Sequence, residues 1–151
     1  MLAVKKQIRQ LGFTLIELMA VIAIIGLLMA AGLVSYTNAQ KNARDAKRQA
    51  DIDSVAQSEE QYAASNAGAY LAAASYAAYA PGTTYFAQGV PADPKNSGTN
   101  IYTMVASTTG YCVCAGLEGI KGNGTAAATA ATCSFGSVTT APGWYCRQNQ
   151  Q

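Results

Sequence analysis

Between Phe13 and Val34 lie 13 of the 29 Val, Ile, Leu and Met residues of this 151-residue chain, and from Leu18 to Val34 no side chain carries a charge. At about 1.5 Å of rise per residue, a helix of that length matches a hydrocarbon core of roughly 30 Å, so the segment is long enough to cross a membrane. This constrains everything downstream. Only 11 large aliphatics remain for the 117 residues after Val34, so whatever folds there must build its interior from other side chains. Ahead of the apolar run is a short leader bearing Lys5, Lys6 and Arg9, and near the start of the run sits one carboxylate, Glu17. A carboxylate inside a bilayer costs on the order of 2.5 to 3.5 kcal/mol on insertion scales, so it needs a compensating partner.

A cleaved secretory signal accounts for the basic leader, the apolar stretch and a small-residue site at Thr37-Asn38-Ala39. The run, however, exceeds the roughly 7 to 15 residues of a signal core, and neither a signal nor a plain anchor has a use for Glu17. Cleavage between Gly12 and Phe13 supplies one. The new α-amine of Phe13 then lies four residues from Glu17, one helical turn away on the same face. It can pair with its own carboxylate or with that of a staggered neighbouring helix, and a polar pair of that kind sets register between featureless apolar surfaces.

Gly12-Phe13-Thr14-Leu15-Ile16-Glu17-Leu18 resembles the cleavage and methylation signature of type IV prepilins and type II secretion pseudopilins. The resemblance implies removal of residues 1–12 by a membrane prepilin peptidase and methyltransferase, and N-methylation at Phe13. It implies a packed helix start at Thr14, and polymerisation of the chain with itself through the apolar helix, with Glu17 as the assembly carboxylate. Further implied partners are the inner-membrane assembly platform of a pilus or type II secretion machine and, before assembly, membrane lipid. Lys41, Arg44, Lys47 and Arg48 beyond the span rival the leader's cations, so the positive-inside bias leaves orientation open. The resemblance puts the head outside, in an extracellular pilus or a periplasmic pseudopilus.

No glycine or proline interrupts the chain between Leu33 and Ala67, and good helix formers dominate it, so the helix should continue to about Ala64. Ala39, Ala43, Ala46 and Ala50, then Ile52, Val55, Ala56, Tyr62 and Ala63, recur near the spacing of one helical face and are expected to pack. Lys41 with Asp45 and Lys47 with Asp51 are expected as solvated i,i+4 pairs worth a few tenths of a kcal/mol. Glu59 and Glu60 are expected to face water. Asn66 to Gly68 can end the helix. A loop with a short helix, closed by Pro81-Gly82, leads to strand candidates Ile101–Ser107, Gly110–Glu118 and Gly143–Arg147, the first two joined through Thr108-Thr109-Gly110. The expected fold is therefore α+β and pilin-like, a long N-terminal helix whose second half packs through Ile52, Val55 and Tyr62 on a small antiparallel sheet. Its parts are a leader (1–12), a membrane and assembly half-helix (13–34), a head-packing half-helix (35–64), a connecting loop region (65–100) and a sheet head (101–151).

Val90-Pro91-Ala92-Asp93-Pro94 and Cys114-Ala115-Gly116-Leu117-Glu118 resemble the heads of minimal pilins and major pseudopilins. Some of those heads hold calcium. Asp93 is the only acid between Glu60 and Glu118, too few hard oxygen ligands for a site, so no metal is expected. The four cysteines, Cys112, Cys114, Cys133 and Cys146, read as two disulfides of an oxidising compartment. Cys112 and Cys114 share one face of a strand, so each should bond Cys133 or Cys146, in either of two pairings. A four-cysteine zinc site is the competitor, against which C-x-C is not the usual C-x2-C spacing.

The chain has no histidine, which removes Ser-His-Asp and Cys-His catalysis. No spacing rule pairs Glu59, Glu60, Asp93 or Glu118 as an acid and base, and no phosphate loop is present, so no catalytic residue, cofactor or enzyme activity is expected. A net charge of +2 gives no footprint for nucleic acid as a primary partner. The nine tyrosines should fill the core and sheet faces or, alternatively, form an exposed aromatic surface, and Asn123-Gly124-Thr125 fits a short glycosylation sequon. Against a filament subunit stand a type II secretion major pseudopilin and a monomeric membrane-anchored binding protein.

Overall fold

The structure, a computed structural model, describes residues 12–82, 84–87, 89–95, 97, 102–136 and 142–149. The leader up to Leu11 and the expected strand start at Ile101 lie outside the described residues. Contacts divide the chain into one unit ending at Thr37 and a second beginning at Asn38.

The first unit is the apolar part of helix α1, Leu15–Ser65. Every described residue in it is exposed, and an 18-residue window within α1 has a mean hydropathy of 2.6. By length and composition it qualifies as a membrane span.

In the second unit, α1 buries Asp45, Arg48, Ile52, Val55, Ser58, Glu59 and Ala63, a three-and-four spacing. The expectation of an alanine face fails in its first half. Ala43, Ala46 and Ala50 are exposed, and the charged side chains between them face inward because partners elsewhere in the chain satisfy them. Ile52 and Val55 are in the core, while Tyr62 is only partly covered. Ala67 and Gly68 end the helix with φ of 57° and 84°, and the Gly68 N–H returns to the Ala63 carbonyl at 2.8 Å, a left-handed C-terminal cap. The connector carries the short 3-10 helix Tyr76–Ala78, whose N-cap Ser75 accepts from the Ala78 N–H.

Strands β1 (Tyr102–Ser107), β2 (Gly110–Gly116) and β3 (Trp144–Gln148) form one antiparallel sheet in that order. Ser107 pairs with Gly110 across the two-residue turn Thr108-Thr109. β2 is buried along its whole length, since it is covered on both faces. Tyr111, Val113 and Ala115 join the core containing Ile52 and Val55, and Cys112 and Cys114 form a second cluster with Cys146. β2 ends at Gly116 rather than at Glu118 because the Leu117 N–H goes to the Gly143 carbonyl and the next three N–H groups turn onto Asp45.

Tyrosines replace the missing aliphatics. Tyr70, Tyr79, Tyr102 and Tyr111 are buried, and their hydroxyls reach acceptors on α1. Tyr102 donates to Asp51 Oδ2 at 2.7 Å, Tyr111 to Glu60 Oε1 at 3.2 Å and Tyr70 to Glu60 Oε2 at 3.3 Å, while Tyr79 shares a hydrogen with Ser58 at 2.6 Å. Each ring buries area and each hydroxyl orients the contact. Asp51 is thereby taken by Tyr102 rather than paired with Lys47.

Candidate functional site

Two places carry chemistry, one at the start of α1 and one inside the head. At the first, no atom of the described residues beyond its chain neighbours lies within 4 Å of a Cβ placed on Gly12, and Phe13 is 86% exposed. Thr14 is the N-cap. Its Oγ1 accepts the Glu17 N–H at 3.3 Å, and its carbonyl accepts the Leu18 N–H at 3.2 Å. Thr14-Leu15-Ile16-Glu17 is the T-x-x-E pattern of a capping box, and Glu17 in the first turn meets the positive end of the helix dipole. This local reason for Thr14 and Glu17 was legible in the sequence at that spacing and was missed there.

The second place is a charge cluster. The Arg48 side chain is fully buried and bonds three carboxylates, with Nη1 to Asp45 Oδ1 at 2.8 Å, Nε to Asp93 Oδ2 at 2.6 Å and Nη2 to Glu118 Oε1 at 2.7 Å. Arg44 adds a two-pronged contact to Glu118, at 2.8 and 2.6 Å. Asp45 accepts the backbone N–H groups of Glu118 and Gly119 at 2.8 Å and of Ile120 at 3.3 Å. The expected Lys41 with Asp45 pairing and solvated helix face are thus overturned. α1 is bolted to the 93 loop and to the end of β2 by charge-assisted bonds.

Hydrogen bonds from Arg44, then from Arg48, hold the Glu118 carboxyl at about 2, well below its usual 4.5. Burial pulls the Arg48 guanidinium down, but its bonds to Asp93, Glu118 and Asp45 outweigh that and raise it. Glu59, expected in water, is instead buried. Burial raises its pKa against the opposing pull of the nearby Tyr79 hydroxyl and the bond from the Leu71 N–H, and its Oε1 has no hydrogen-bond partner among the described residues.

These shifts predict an acid limb. A carboxyl whose folded pKa is depressed contributes stability that is present above its unfolded value and lost as pH falls toward the folded one. For Glu118 that window runs from 4.5 down to about 2. Glu59 acts in the opposite sense, because a raised pKa favours the protonated folded form and its contribution declines as pH rises. The urea midpoint of the head should fall steeply below pH 4.5, and a Glu118→Gln variant should show a flatter acid limb; equal slopes would remove Glu118 from the account.

Cys112 is bonded to Cys133 and Cys114 to Cys146, one of the two pairings left open above. The sulfurs of Cys112, Cys114 and Cys133 lie within 4.8 Å of one another, but disulfide sulfurs offer no thiolate for zinc. Asp93 gives both carboxylate oxygens to Arg48. Asn123 is part of the fold, its side-chain amide bonding both the carbonyl and the N–H of Cys146, at 2.9 and 2.7 Å, which covers the outer edge of β3 as a neighbouring strand would.

Residues 8–33 match the family model described as the prokaryotic N-terminal methylation motif, which is typical of type IV prepilin-like proteins. No curated protein and no solved structure gives a significant match. The long apolar helix, the small antiparallel sheet and the two cysteine pairs make the fold α+β and pilin-like.

Proposed function

We propose that this chain, which carries the N-terminal methylation motif of type IV prepilin-like proteins, is the structural subunit of a type IV pilus-like filament. It is made as a membrane-held precursor, trimmed after Gly12, methylated on the Phe13 amine and polymerised through the apolar half of α1. The observation that carries this reading is the motif itself, set on a helix start whose large apolar side chains, from Phe13 to Val34, are all exposed. So much uncovered apolar surface needs lipid or other copies of the same helix around it. Prepilin peptidase acts at Gly12 and Phe13, and Glu17 meets the α-amine that cleavage creates. The pilin-type role is structural rather than catalytic. Two disulfides fit a head that matures outside the reducing cytoplasm, where a long surface fibre gains more from them than a short periplasmic pseudopilus.

Mass spectrometry of the native protein tests the processing. The chain should begin at Phe13 and be one methyl group heavier than its sequence, and any other first residue overturns the assignment. Glu17→Ala should be processed yet fail to assemble; filaments as abundant as those of the parent would remove the role given to the carboxylate. Antibody against the head should label long fibres on intact cells.

A further inference from the structure

We propose that the head binds a neutral saccharide in the groove between α1 and the end of β3. The groove has a volume of about 740 Å³, within the range of small-ligand sites. One wall is a single face of α1 that presents Asp53, Gln57, Glu60 and Gln61, with Ala56 as its one apolar member. The spacing is that of one helical stripe. The facing wall comes from the sheet, through Tyr111, Arg147 and Gln148.

The polar groups are set for a ligand. The Tyr145 hydroxyl at 3.0 Å and Arg147 Nε at 2.7 Å both go to Asp53 Oδ1, so Oδ2 remains as an acceptor. Arg147 commits only Nε to that pair and is 45% exposed, which leaves its terminal nitrogens as donors beside that acceptor. The Gln57 and Gln61 side chains are exposed, and each amide both donates and accepts.

This lining selects the ligand class. A docked peptide needs apolar anchors in pockets, and Ala56 offers none. A strongly charged ligand of either sign meets its own sign here, because Asp53 and Glu60 face the same space as Arg147. A sugar hydroxyl donates and accepts at once, as the glutamines do, so it can use both the Arg147 donors and the Asp53 acceptor. Tyr111 is 1% exposed, so it offers no stacking platform, and the binding expected of an open polar groove is weak, in the millimolar range, about −4 kcal/mol.

The test is an NMR titration of the isotope-labelled full chain in phosphocholine-detergent micelles, since sugar-headed detergents would compete. The probes are glucose, galactose, mannose, N-acetylglucosamine and their disaccharides. At least one should shift the signals of Gln57, Gln61, Arg147 and Gln148 in a saturable way. The doubly substituted Gln57→Ala/Gln61→Ala chain should bind about tenfold more weakly, as loss of one or two hydrogen bonds gives, with its remaining spectrum unchanged. The proposal is overturned if no probe shifts these signals at about 100 mM, far above a millimolar constant. It is equally overturned if the double variant binds as tightly as the parent, or if short basic or acidic peptides saturate the groove while every sugar fails.

Discussion

Arg48→Met should destabilise the head by about 3 to 5 kcal/mol, the cost of breaking a buried ion pair by removing one partner. The reason lies in what stays behind. Asp45, Asp93 and Glu118 all direct oxygens at this guanidinium, and the side chains of Asp45 and Asp93 are at most 1% exposed. Methionine fills much of the volume but removes the cation that Asp45 and Asp93 share and leaves Glu118 with Arg44 alone. Against the roughly 5 to 15 kcal/mol that holds typical domains, this is a large fraction. Guanidinium unfolding of the full chain in micelles, followed by near-UV circular dichroism of the head aromatics, should show the midpoint falling sharply. Arg48→Lys should recover little, because an ammonium cannot serve three carboxylates with a planar fork. If Arg48→Met shifts stability by less than about 1 kcal/mol, within the range of a surface pair, the cluster is not what fastens the helix to the head.

Replacing Cys114 and Cys146 with serine should cost a similar amount, about 3 to 4 kcal/mol from chain entropy for a crosslink spanning 32 residues. These cysteines are direct partners in the β2 to β3 register, with Cα atoms 4.1 Å apart. The bond therefore clamps β3, whose one neighbouring strand among the described residues is β2. Chain entropy gives the bond between Cys112 and Cys133, 21 residues apart, nearly the same value, but the local effect should differ. Its removal should free backbone amides around Cys133 while the β2 and β3 ladder keeps its protection. Hydrogen exchange on the two double variants separates the cases, and identical protection maps would refute the distinction.

The alanine face shows why part of this fold was hidden from pattern reading. Alanines at 39, 43, 46 and 50 and the set Asp45, Arg48, Ile52, Val55 and Glu59 satisfy nearly the same helical period, so periodicity cannot choose between them. Hydrophobicity then points to the alanines, since buried charge is costly. The outcome rests on carboxylates 45 and 70 residues from Arg48 in sequence, which compensate that cost only once the chain has folded. Glu59 was misplaced for a related reason, because its carboxylate accepts the Leu71 N–H from the connector. The capping residue Thr14 belongs to the other category, a local signal in plain view.

The sequence by itself determined the long apolar segment, its N-terminal methylation motif, the long helix, the three strands and the four cysteines of two disulfides. All of these follow from local composition and spacing, because hydrophobic transfer, helix propensity and turn chemistry act over a few residues. Only the tertiary structure decided which face of the helix is buried, which cysteines are bonded, how tyrosine rings stand in for aliphatic packing while their hydroxyls reach acceptors on α1, and that polar side chains from α1, β2 and β3 meet along one groove. Each of these depends on groups far apart in the chain, whose energies appear only when folding removes them from water and brings their partners within hydrogen-bond reach.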